Sequence, residues 1–187
     1  YLTGLQGENP NRVDKYHVGT CLKHYFGYGI PDNGKDRTPA NTNYQELRER
    51  YYEPFRKVIN KGALSVMTNS SILNGMNGVA NKEFLTRWLK DELQWDGVVV
   101  TDWGDIENLR VRDHICSTQK EAIKMAVNAG VDLMMVPSTL SYAPLLKELV
   151  KDGEVSMKRI DDAVSRVLRL KYRTGLFDTP LYKQSDY

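Results

Sequence analysis

Cysteine is nearly absent. The 187 residues hold only two, Cys21 and Cys116, and no CxxC spacing. That excludes a disulfide framework and a thiolate zinc site, and it leaves the redox compartment open. Cys21, in the apolar context HVGTCLKHY, reads as a buried core residue. An excess of one charge is also missing: 26 basic against 24 acidic residues leave a net charge of +2. Such a balance does not supply the basic stripe of a nucleic-acid binder. The longest apolar runs are strand-sized, too short for a membrane span. The three histidines, His17, His24 and His114, are dispersed, and no carboxylate cluster with ligand spacing accompanies them. Neither a metal nor a cofactor is therefore expected. No GxGxxG follows the first strand-like segment, which argues against dinucleotide binding. The chain opens on YLTGLQGENP, without a methionine or a basic leader. No signal peptide is read there, and a longer polypeptide upstream is expected.

What the chain does contain is alternation. Val18–Tyr25 reads as a strand, and residues 26–43, rich in Gly, Pro, Asn and Asp, as a long loop. Asn43–Lys61 has apolar positions at helical spacing, ends at Gly62, and should kink or break at Pro54. Leu64–Asn69 is a second strand, followed by the loop SSILNGMNGVA, in which Asn74-Gly75 and Asn77-Gly78 read as turn chemistry. Asn81–Gln94 is a helix capped by Asn81, and Gly97–Thr101 a third strand. Thr118–Ala129 is a helix closed by Gly130, and Val131–Val136 a fourth strand. Helices at 141–151 and 156–173 complete the chain, the last opened by Ser156 and closed by Gly175. Strand–loop–helix repeated four times predicts α/β architecture with parallel strands and right-handed crossovers. A doubly wound sheet and a (β/α)8 TIM-like barrel compete. A complete barrel typically needs about 250 residues, so four β/α units make a half barrel.

Polar residues gather where the strands end: Lys23-His24, Asn69-Ser70, Asp102-Trp103 and Pro137-Ser138. That is the face on which barrels assemble active sites. Lys23 could be a Schiff-base nucleophile, a donor to a polar ligand or a surface cation. Lys35, Asp36 and Arg37 could pair with one another or reach a ligand, and on spacing alone they read as a solvated loop. Asp102 is the strongest candidate, because a buried carboxylate needs a partner or an opening to water. It could bind metal, act as a base, attack a sugar carbon, or cap the following helix. Trp103 beside it offers a flat face on which a sugar ring can stack. The residues alone leave these alternatives open.

The ordered set CLKHYFGYG, GKDRTP, GALSVMTNSSILNGMNGVAN, LTRWLKDELQWDGVVVTDWGD and AGVDLMMVP resembles glycoside hydrolase family 3, in its β-glucosidase branch. The resemblance runs from about Leu5 to Phe177. It implies that residues 1–177 are the C-terminal half of the family's barrel domain and 178–187 the start of a linker to an α/β sandwich. It implies a retaining exo-β-glucosidase with Asp102 as nucleophile. Lys23 and His24 are then implied to bind sugar hydroxyls, Met67 to line the pocket and Trp103 to stack near the sugar. Ser70 and Arg37 are further substrate-binding candidates. Tyr25 stands where the family's KHF motif has Phe, and Asn69-Ser70-Ser71 where many members carry a tyrosine. The general acid/base is implied to lie outside this chain, which alone is expected to be inactive without the other barrel half and the sandwich domain. β-Xylosidase, a non-catalytic sugar-binding fragment and a Lys23 aldolase are the competing readings. The implied partner is a small glycoside or oligosaccharide, not nucleic acid or membrane, and the implied compartment is periplasmic or extracellular.

Overall fold

A computed structural model describes residues 1–178 apart from Asp32 and Ser138. The expected linker therefore lies outside the described residues save for Asp178, as does Ser138 of the Pro137-Ser138 pair. A short helix α1 (Leu2–Gln6) precedes strand β1 (Cys21–Tyr25). Helix α2 (44–59) follows, then β2 (Ser65–Thr68), the two-residue strands β3 (Ile72–Leu73) and β4 (Met76–Asn77), and a 3-10 turn at Gly78–Ala80. Helix α3 (Glu83–Asp91), β5 (Val98–Val100), α4 (Asp105–Val111), α5 (Gln119–Ala129), α6 (Tyr142–Lys151) and α7 (Met157–Arg173) complete the order.

The main sheet has the order β1–β2–β5, with both pairings parallel. Val98, Val99 and Val100 are all buried, which accounts for a strand of consecutive β-branched residues with no polar alternation. The segment expected as a fourth strand does run parallel beside β5, but it makes a single ladder bridge, Val100 to Leu133. Side chains intercept part of the ladder. The Asp132 carboxylate accepts from the Val99 N–H at 2.9 Å, and Thr101 Oγ1 accepts from the Met135 N–H at 2.9 Å. β1 is the opposite edge, so Cys21, expected in the core, is exposed.

Pro54 does not end α2, but it marks a change of winding within it. Leu47–Tyr52 is wound as a π-helix and returns to α-helical form at Glu53, placing Pro54 in a first turn. A proline there surrenders no needed donor. Asn81 caps α3 through its side-chain oxygen, which accepts from the Phe84 N–H at 3.1 Å. Thr118 and Glu121 form a capping box at α5. The Asn74-Gly75 turn joins β3 to β4, both residues at positive φ (51° and 81°), which suits a tight antiparallel hairpin. Helices α1 and α4 were not anticipated.

The core on the α2–α3 side is aromatic: Tyr25, Phe26, Tyr52 and Trp88 are each at most 2% exposed, with Phe84 beside them. Phe26 stacks on Trp88 with ring centroids 5.6 Å apart. The buried hydroxyls find carbonyls, Tyr25 donating to Phe84 O at 3.2 Å and Tyr52 to Trp88 O at 2.9 Å. Tyrosine is thus accommodated at position 25 without an orphaned hydroxyl. Branched residues of α4 and α5, including Ile106, Leu109 and Ile123, fill the other side.

Candidate functional site

β5 ends where its valines stop, and Asp102 and Trp103 begin the turn into α4. Gly104 closes that turn at φ 68°, a conformation that disfavours side chains bearing a Cβ. The Asp105 N–H donates to Asp102 O at 3.3 Å. Asp102 Oδ1 accepts from the Trp103 N–H at 2.6 Å, and Oδ2 accepts from Arg37 Nη2 at 2.9 Å. His24 Nε2 lies 3.4 Å from the same Oδ2. Burial alone would raise the Asp102 pKa, but the Trp103 N–H and the Arg37 guanidinium outweigh it and hold the carboxyl below its usual range. Burial lowers the pKa of His24, against the attraction of Asp102, so the imidazole is neutral at neutral pH. Asp102 is therefore a carboxylate with a positive partner on one side, and its side chain keeps 12% of its exposure.

Arg37 reaches Asp102 from the loop after β1, 65 residues earlier in the chain. It sits at positive φ (58°) in a loop organised by Asn33, whose side chain accepts from the Lys35 N–H at 2.9 Å and the Thr38 hydroxyl at 2.9 Å. Asp36 accepts from Arg37 Nη1 at 3.2 Å and from the Tyr28 hydroxyl. Tyr28 in turn stacks on His24, ring centroids 4.3 Å apart. The chain Asp102–Arg37–Asp36–Tyr28–His24 closes on itself around the carboxylate. The sequence candidates Asp102, Arg37 and His24 are brought together here, and the pairing of Asp36 with Arg37 is one of the alternatives open for that loop, whereas Tyr28 is not singled out. A tyrosine four residues after His24 carries no periodic signal.

The remaining expected residues fall in different places. Trp103 is 64% exposed beside Asp102. Met67 is half-buried on β2, in register with Val100. Lys23 is exposed and lines a shallow groove with Pro54, Phe55 and Val58, while the side chains that reach Asp102 are the Arg37 guanidinium and the neutral His24 imidazole. Ser70 is fully buried: its hydroxyl donates to Asp105 Oδ1 and accepts from Arg112 Nη1 at 3.2 Å. Its neighbour Asn69 fixes the same loop, donating to Phe26 O at 2.8 Å and accepting from the Ser71 hydroxyl at 2.7 Å. Among the described residues no group of His, Cys, Asp or Glu could hold a metal ion, and no helix is long and apolar enough to cross a membrane.

Residues 1–170 match the family model described as the glycosyl hydrolase family 3 N terminal domain. The lysosomal beta glucosidase of Dictyostelium discoideum is 44% identical over 183 residues, covering 96% of this chain and 22% of that protein. The periplasmic beta-glucosidase of Salmonella typhimurium is 33% identical over 179 residues, covering 96% of this chain and 23% of that one. Among solved structures, the beta-glucosidase of Listeria innocua superposes with a TM-score of 0.90 at 31% identity, covering 99% of this chain and 26% of that one. The chain thus spans about a quarter of the length of these relatives or slightly less.

Proposed function

The chain belongs to glycosyl hydrolase family 3, and we propose that it is the part of a retaining, exo-acting β-glucosidase that carries the nucleophile, Asp102. The observation that carries this reading is the carboxylate at the end of β5, kept ionised by the Trp103 N–H and Arg37 and still open on one side. A retaining glycosidase pairs two carboxyls about 5–5.5 Å apart. An Asp102 oxygen attacks the anomeric carbon and forms a glycosyl ester. The glycosidic C–O bond breaks as the second carboxyl gives its proton to the departing oxygen. Water then attacks the same carbon, loses its proton to that second group and releases Asp102 as carboxylate. The second carboxyl belongs to a part of the enzyme outside this chain.

In this reading His24, Arg37 and Lys23 address sugar hydroxyls, Trp103 forms a stacking wall, and Met67 lines the pocket floor. The sequential parallel order β1–β2–β5–Leu133 supports four consecutive units of a (β/α)8-type barrel, its two open edges continued by the rest of the domain. Names such as lysosomal and periplasmic among the relatives support a protein exported from the cytosol.

The test is made on the complete enzyme. Asp102→Ala should lose aryl β-glucoside hydrolysis by about a thousandfold or more. Azide should restore turnover of an activated glucoside, giving the α-glucosyl azide. Wild-type-like hydrolysis by the variant would overturn the assignment. A nitrophenyl glycoside panel then ranks glucoside against xyloside. The 187-residue chain alone should bind sugar weakly and turn over nothing; turnover by the purified chain would show that it needs no second carboxyl from elsewhere.

A further inference from the structure

Asp105, three residues beyond the proposed nucleophile, is the first residue of α4 and is 1% exposed. Its position would suit a helix-dipole partner, which needs no burial. The structure gives it a different environment. Oδ1 accepts from the Ser70 hydroxyl in the loop after β2, and Arg112, beyond the end of α4, grips the same hydroxyl and the Asp113 carboxylate. Asp113 in turn accepts from Asn77 Nδ2 at 2.7 Å, which brings in the β3–β4 hairpin. Oδ2 is buried and has no hydrogen-bond partner among the described residues. Through its backbone Asp105 also holds the turn that aims Asp102.

We propose that Asp105 is a positioning residue for the nucleophile. Its carboxyl fastens the loop after β2 to the turn 102–105, and its charge acts on Asp102 through the protein interior. It is not the missing acid, because a group sealed at 1% exposure reaches no glycosidic oxygen. This inference rests on Asp102 being the nucleophile.

The groups facing Asp105 are Ser70, Asp102, Arg112 and Asn108. Burial, with the Asp102 charge adding to it, lifts its carboxyl to about 6, against the pull of Ser70, Arg112 and Asn108. Below that pH Asp105 is neutral beside Asp102; above it two like charges are close together. Attack on the sugar neutralises Asp102 and relieves that repulsion. The kcat/KM of the complete enzyme should therefore rise as pH passes through about 6.

The experiment compares wild type, Asp105→Asn, Asp105→Ala and Asp102→Ala of the complete enzyme on an aryl β-glucoside across pH. Asp105→Asn keeps an acceptor for Ser70 without the charge, so its profile should lack the step near pH 6. Asp105→Ala should lower kcat by about tenfold to a hundredfold with KM little changed, the signature of a misaimed nucleophile. If Asp105→Ala fails to fold, the Asp105→Asn profile still decides. Profiles of Asp105→Asn that superimpose on wild type throughout would overturn the proposal. An active Asp102→Ala would overturn the assigned function itself, and this inference with it. An inactive Asp102→Ala with wild-type-like Asp105 variants would overturn this inference alone.

Discussion

The two ends of β5 use the same chemistry for opposite purposes. Asp132 lies beside the beginning of the strand, its side chain fully buried, and takes Lys90 Nζ at 2.7 Å, the Arg159 guanidinium and the Val99 N–H. Just upstream, three arginines of α7 seal the approach. Arg166 donates to the carbonyls of Trp95 and Gly97 at 2.8 and 3.0 Å, Arg169 donates to Asp96 O at 2.9 Å, and Arg173 pairs with the Asp96 carboxylate. Two residues beyond the strand's other end, Asp102 also has a guanidinium and a backbone N–H, but its side chain stays 12% exposed where that of Asp132 is sealed. A carboxylate saturated on every side is scaffold, and one saturated on one side can react. Even the sealed end carries a cost: burial lowers the Lys90 pKa to about 8 despite its partner. The pair therefore does not fully offset the desolvation of its ammonium.

The comparison predicts a double dissociation. Asp102→Ala should abolish turnover of the complete enzyme while moving its melting temperature by only a few degrees, since Arg37 can turn to water. Asp132→Ala should do the reverse. Arg159 would keep Asp162 and two carbonyls, but the buried Lys90 ammonium would be left with Asp162 alone at 3.7 Å, which should cost about 3–5 kcal/mol of stability, about 10 °C or more in melting temperature, while activity per folded molecule persists. Calorimetry beside steady-state kinetics reads both. If Asp132→Ala stayed stable and lost activity, the sealed end would not be mere scaffold.

Much of this contrast was legible in the sequence. VVV followed by TDW announces a buried strand that stops at an acid, and the period-3.6 stretches placed α3, α5, α6 and α7. What was not legible is long-range. Arg37 reads as solvated because nothing local says that Asn33 folds its loop back toward β5. The fourth strand reads as a ladder because composition cannot show Asp132 and Thr101 replacing backbone partners. Asp105 draws no reading at all, since α4 is not anticipated, and only the packing of Ser70 against α4 reveals it as a buried acid.

Trp103 sharpens the open end at smaller scale. At 64% exposure its ring contributes little to the fold. Trp103→Ala should leave the melting temperature unchanged and raise KM for a glucoside by about threefold to tenfold, the range of one lost stacking contact. A fall in melting temperature without a change in KM would place the ring in the scaffold.

The smallest effect tests whether the sealed end is itself graded from inside to outside. Asp96 binds Arg173 through two hydrogen bonds of 2.8 Å, yet its side chain is 48% exposed. Its partial burial would raise the carboxyl pKa, but Arg173, with Arg169 and Arg166 behind it, outweighs that and holds it below 3.8. A folded pKa depressed in this way contributes stability that is complete above the unfolded value. That contribution is lost as pH falls through the folded one. Solvent screening limits it to about 1 kcal/mol or less. Asp96→Asn should therefore lower the melting temperature by at most about 2–4 °C at pH 7, and the gap from wild type should close as the pH is taken well below 3.8. A gap that persisted in acid would mean that Asp96 acts there through packing rather than charge, and that the arginine staple on α7 depends on its backbone contacts alone.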